Sequence, residues 1–122
     1  MLLNPLSSLI LRILKLPEYA EIGLKMAQED ESSGVRCLAG THLGDVLNVI
    51  QDQKLKRKIA AYIYDVMTKS NYADEVKQDI YQSVMAAMGI SIIDRPETVG
   101  NPEYKKHINP TLLNQFKEKY EI

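Results

Sequence analysis

The stretch NYADEVKQDIYQSVMAAMG, residues 71–89, decides the fold class. Within it Ala73, Val76, Ile80, Val84 and Met88 recur at spacings of three and four, the repeat of one face of an α-helix. Asn71 offers a capping side chain, and Asp74 and Glu75 put carboxylates in the first turn, where the helix dipole favours them. Gly89 supplies a left-handed C-cap. The pattern predicts an amphipathic helix whose apolar face must lie on other elements, so its neighbours decide the architecture.

Upstream, Leu55, Ile59, Tyr62, Ile63, Val66 and Met67 predict a helix of about fifteen residues. Before it, Thr41 is the expected cap of a helix carrying Leu43, Val46, Leu47 and Ile50, joined to the next across a bend near Asp52-Gln53. Val35 to Ala39 fits either an extended segment or the start of a short helix. Pro17-Glu18 opens another helix, with apolar rows Tyr19, Ile22, Met26 and Ala20, Leu24, Ala27, ended by the polar run Gln28 to Gly34. Downstream, Ile90, Ile92 and Ile93 are β-branched and are expected to lie extended against the bundle. Asp94 to Ile108, broken by Pro96, Gly100 and Pro102, reads as a loop ranging from ordered to mobile. Asn109-Pro110 then starts a last helix carrying Leu112, Leu113, Phe116 and Tyr120.

The opening of the chain is its most apolar part. Ten of its first sixteen residues are large and apolar, and a helix expected over 5–15, started by Asn4-Pro5, keeps only Ser8, Arg12 and Lys15 as a polar line. Something must cover the remaining faces: the bundle itself or a protein interface formed by Leu2, Leu6, Leu9 and Ile13. No base precedes the apolar run and Arg12 and Lys15 close it, so neither a secretory signal nor a spanning helix is expected.

At 122 residues the chain has the size of one domain, expected to comprise a bundle core over 1–93 and a C-terminal loop and docking helix over 94–122. Hydrophobic content of 45% with 25% charged residues argues for a packed core, and a net charge of -1 gives no global attraction to nucleic acid or anionic lipid. The single Cys37 cannot form an intramolecular disulfide and suits a cytoplasmic location.

Catalytic and metal-binding patterns are weak. Cys37 with His42 is too little for a nucleophile and base, and His42 with Asp45 supplies two ligands where zinc takes three or four. No glycine pattern matches a phosphate loop. The segment from Val84 to Ser91 has the outline of a helix-turn, but Pro96 and Gly100 leave no room for a recognition helix, so Gly89 is expected to be a C-cap with Ile90 folding back over it. The basic cluster Lys54, Lys56, Arg57 and Lys58 could meet phosphates, each contact adding salt-dependent affinity. Tyr64 falls off its helix's apolar row and is a candidate contact residue.

The sequence therefore predicts an all-α protein, an irregular bundle of five to six short helices without a cofactor or a membrane span. Its expected function is non-enzymatic recognition of another protein or of itself as a homodimer, through Leu2, Leu6, Leu9, Ile13 and Tyr64. The alternative is a nucleic-acid-binding regulator using Lys54, Lys56, Arg57 and Lys58.

Overall fold

The computed structural model describes residues 19–122, and the helix expected over 5–15 lies outside them. Five α-helices occupy the described part: α1 (Ala20–Glu29), α2 (Ser33–Val49), α3 (Gln53–Thr68), α4 (Asp74–Ala87) and α5 (Pro110–Tyr120). Single 3-10 turns at Ile92–Asp94 and Tyr104–His107 punctuate the link between α4 and α5, and no strand occurs among the described residues. The all-α class follows, as the helical spacings required.

The core forms where the apolar rows of α2, α3 and α4 converge. Leu43, Leu47, Ile59, Ile63, Ile80, Tyr81 and Val84 are all but fully buried, and Phe116 of α5 closes one side. In α1 the row Ala20, Leu24, Ala27 turns inward together with Gly23, while Tyr19 and Ile22 of the neighbouring row stay exposed. Small side chains let α1 lie close on α2, and most of the burial then comes from Leu24.

Several boundaries differ from the sequence reading, those of α2 and α3 because a different side chain holds the helix end. Residues 35–39 belong to α2, which starts at Ser33 with the Ser32 hydroxyl accepting the Val35 N–H. Thr41 is therefore not a cap: it sits mid-helix, donating its hydroxyl to the Leu38 carbonyl. The polar run after α1 shrinks to a tight connection in which the Asp30 carboxylate accepts the Ser32 N–H and Arg36 donates to the Asp30 and Glu31 carbonyls. The expected bend near Asp52-Gln53 is a full break, because the Asp52 carboxylate accepts the Lys54 and Leu55 N–H groups and starts α3 anew. Helix α4 begins at Asp74 after Ala73, not after Asn71.

The end of α4 and the start of α5 behave as read. Gly89 takes φ 77°, the Gly89 N–H reaches the Ala86 carbonyl, and the Ile90 N–H reaches back to Met85 at 3.0 Å, which is a Schellman ending with Ile90 folded against the core. Asn109 caps α5 through the Thr111 and Leu112 N–H groups, with Pro110 in the first turn. Two lysines satisfy carbonyls that neighbouring helices leave open. Lys77 donates to Val66 at 2.8 Å and to Lys69 at the end of α3, and Lys119 donates to Ala87 at 2.6 Å at the end of α4.

The tightest crossing, α2 on α4, is polar along its seam. The Cys37 thiol donates to Asp79, the Ser83 hydroxyl lies between the Gly40 carbonyl and the Gly44 N–H, and the Asn48 amide donates to Ala86. Gly40 and Gly44, one turn apart, remove the side chains that would otherwise hold the two backbones apart.

A candidate recognition surface

The four bases singled out in the sequence do lie near one another, at the start of α3. Lys54, Arg57 and Lys58 line a shallow groove with Leu55, Ala61 and Ile122, and Lys56 lies on the far side of Arg57 beside Lys119. The surface is not free positive charge, however. Lys58 pairs with Glu21 of α1 at 3.0 Å, Arg57 lies 3.8 Å from Glu121, and Asp52 lines the same groove. Opposite charge brought in from α1 and the C-terminus reduces the attraction a phosphate backbone would feel.

Tyr64 does not stand clear of the fold. It is half-buried against the core, and the Lys117 ammonium of α5 lies 5.6 Å from its ring centroid, so the last helix covers the face that the sequence left open. Leu2, Leu6, Leu9 and Ile13 fall outside the described residues.

Cys37 and His42 each have another partner. His42 Nδ1 is 2.9 Å from the Asp45 carboxylate, whereas the Cys37 thiol donates to Asp79 Oδ1 at 3.2 Å. Burial pushes the thiol from its ordinary 9.0 up to about 12, and the hydrogen bond and negative charge of Asp79 add to the shift. A thiol held protonated in this way is a poor nucleophile. No group of three or more potential metal ligands occurs among the described residues.

A cleft between the end of α3 and the Tyr104–His107 turn gathers Lys69, Tyr72, Asp74, Lys77 and Tyr104. Every one of these side chains is spent on the protein. Tyr104 donates to Asp74 at 2.7 Å, Tyr72 to Asp65 at 2.8 Å, and Lys69 pairs with Asp65 at 2.6 Å. Burial, with the Asp74 hydrogen bond, raises the Tyr104 hydroxyl to about 12, while hydrogen bonds from Lys69 and Tyr72 lower the Asp65 carboxyl. The cluster ties α3, α4 and the following turn together.

The segment after α4 is different, and here the structure corrects the sequence. Ile92 and Ile93 do not lie against the bundle: they sit in a 3-10 turn and are 78% and 91% exposed. With Pro96 and Val99 they wall a shallow groove beside Gln82. The backbone beneath them is fixed. Arg95 Nε donates to the Ile90 carbonyl at 2.8 Å, and Gln82 Nε2 donates to the Pro96 carbonyl and to Thr98 Oγ1. Thr98 is fully buried and donates to the Gln78 carbonyl, while the Gln78 amide grips the Gly100 N–H and the Asn101 carbonyl. The expected loop over 94–108 is thus a strap fastened to α4 by two glutamines.

Sequence reasoning missed this surface because three isoleucines suggest burial by composition. A usable signal was present: the run is bracketed by Gly89 and Pro96 and lacks a partner row at either helical or strand spacing. What the fold and its surface define is an all-α bundle with an exposed, well-anchored apolar groove. The chain matches no family model, no curated protein and no solved structure.

Proposed function

We propose that this protein acts by protein–protein recognition and that the groove walled by Ile92, Ile93, Pro96 and Val99 is a contact surface. One observation carries the reading: two adjacent isoleucines, almost wholly exposed, stand on a backbone that Arg95, Gln78, Gln82 and Thr98 hold in place. Leaving such side chains in water forgoes roughly 1.5–3 kcal/mol each of burial free energy, which a partner recovers. Because the loop is already ordered, little conformational entropy is lost on docking. The role is non-enzymatic, and the protonated, hydrogen-bonded Cys37 accords with a reducing compartment such as the cytoplasm.

The test is site-specific cross-linking. A photoreactive amino acid at Val99 is expected to give discrete protein adducts in cells, lost when Ile92→Ser and Ile93→Ser are added while thermal stability is unchanged. Absence of adducts, or adducts indifferent to those substitutions, would sink the reading. Self-association through Leu2, Leu6, Leu9 and Ile13 is a separate part of the proposal, read by light scattering on the intact chain and on Leu9→Glu. A dimer that becomes a folded monomer supports it, and a monomer in both removes it. The nucleic-acid reading gains no support from bases whose neighbours include Glu21, Asp52 and Glu121. Unchanged retention of Lys56→Glu with Arg57→Glu on a phosphate-rich matrix would end it.

A further inference from the structure

Apart from the contact groove, we infer that the cleft between the end of α3 and the Tyr104–His107 turn binds a small organic anion, a phosphate or carboxylate carried on a ring or other apolar body. The cleft has a volume of about 420 Å³, within the range of roughly 300–1,000 Å³ that small-ligand sites occupy. Its hydrogen bonds are internal, but its charges are not all cancelled. Three ammonium groups, Lys69, Lys77 and Lys105, line it against one carboxylate, Asp74, which already accepts the Tyr104 hydroxyl. Lys69 is matched by Asp65 at 2.6 Å, whereas Lys77 and Lys105 make no ion pair among the described residues. Lys77 is half-buried, and its bonds to the Val66 and Lys69 carbonyls hold the ammonium in place while setting only the partial charge of a helix end against it. Lys105 reaches the same cleft from the turn and is exposed. A half-buried cation without a carboxylate partner is an arrangement that an anion completes. Met67 and Ile108, half-buried against the core, and the rings of Tyr72 and Tyr104 give the cleft an apolar side. A bare phosphate leaves that side unused, so the lining favours an anionic head joined to an apolar body.

The experiment is an NMR titration of the intact protein with phenyl phosphate and with phenylacetate, controlled by phenol and by inorganic phosphate. Saturable shifts of the Ser70 and Lys105 amides are expected with either organic anion, and the tighter of the two identifies the preferred head. Phenol and inorganic phosphate, each carrying half of the chemistry, should bind roughly tenfold more weakly or worse. Lys105→Gln should weaken the organic anions roughly threefold to tenfold and flatten the salt dependence of binding. Lys105 is exposed, so this variant is expected to fold and melt like the parent. Lys106→Gln, one residue along and paired with Glu103 outside the cleft, should leave binding unchanged. Phenol or inorganic phosphate binding as tightly as phenyl phosphate overturns the inference, because one half of the lining then suffices. An equal loss in the two lysine variants, or no saturable shift at the cleft, overturns it as well.

Discussion

The Ser83 hydroxyl of α4 accepts the Gly44 N–H of α2 at 2.9 Å and donates to the Gly40 carbonyl, two groups one turn apart in α2. A side chain from one helix thus bonds directly to the backbone of another. That is possible only because the backbones nearly touch: a Cβ on Gly44 would clash with the Ser83 carbonyl oxygen and lie 2.8 Å from its carbon. Cys37 with Asp79 and Asn48 with Ala86 extend the same seam in both directions. The seam fixes α4, and α4 carries Gln78 and Gln82, which fasten the strap that presents Ile92 and Ile93.

Gly44→Ala and Gly40→Ala are expected to differ sharply. At Gly44 the new methyl meets main chain that cannot turn aside, so the helices must separate, at a cost of about 1–3 kcal/mol or more. The better helix propensity of alanine offsets about 1 kcal/mol of that. At Gly40 the nearest atom is the Ile80 methyl at 3.4 Å, the end of a side chain that can shift, so Ala there is neutral to stabilising. Thermal melts of both variants check the contrast, and equal Tm values would refute the close crossing.

Asp79 and Cys37 give the seam a pH dependence. Burial raises the Asp79 carboxyl above its ordinary value; the Cys37 hydrogen bond works against that rise, and Glu75 adds to it. A raised carboxyl means that the folded state prefers the protonated acid. Its stabilising contribution is complete below the unfolded value of 3.8 and is lost as pH climbs through the folded value. Asp79→Asn should therefore raise Tm at pH 7, with the gain closing toward pH 3. The same substitution should speed alkylation of Cys37 only in part, because burial is the larger cause of the thiol's rise from 9.0 to about 12 and the hydrogen bond and charge of Asp79 add to it. Alkylation as fast in the folded parent as in urea would contradict the arrangement.

The hold on α5 can be tested at its first residues. Tyr81 is buried, and its hydroxyl accepts the Asn109 N–H at 3.0 Å, while the Asn109 side chain accepts the next two free N–H groups. Asn109→Ala should cost about 1 kcal/mol through the lost cap. Tyr81→Phe leaves the Asn109 N–H without its partner and should cost about 1–3 kcal/mol. Because both act on one turn, the double variant should lose less than the sum, which a denaturant cycle measures directly.

The helices were legible because their spacing is a local property: Leu55 to Met67 and Val76 to Gly89 declare themselves without knowledge of a partner. What decided α2 was not local. Ser33 to Ala39 has no apolar stripe of its own, and its helicity is supported by Cys37 and Gly40 meeting Asp79 and Ser83 across more than forty residues of chain. The exposed apolar groove was hidden for the opposite reason. Ile92 and Ile93 look like core residues, and the fastening of the strap through Gln78, Gln82, Arg95 and Thr98 holds them outward. In sequence, a glutamine at the edge of an apolar row gives no hint of which loop it will hold.

Gln78 is accordingly the residue whose loss should free the strap without unfolding the bundle. Its amide donates to the Asn101 carbonyl at 3.0 Å and accepts the Gly100 N–H at 3.0 Å, and its own carbonyl receives the Thr98 hydroxyl. Gln78→Ala removes the side-chain grip but keeps the Thr98 contact to the main chain, and it should cost about 1–3 kcal/mol. The informative readout is amide hydrogen exchange. The Gly100 N–H is expected to exchange faster by roughly tenfold or more, while the amides of α4 around Val84 slow or quicken only with global stability. Thr98→Val, which keeps the shape but deletes the hydroxyl, should quicken the same amide less. If the partner captured at Val99 binds Gln78→Ala as tightly as the parent, preorganisation of the strap contributes nothing to recognition. Weaker binding with Ile92 and Ile93 unchanged would show that the two glutamines act on the surface through its backbone.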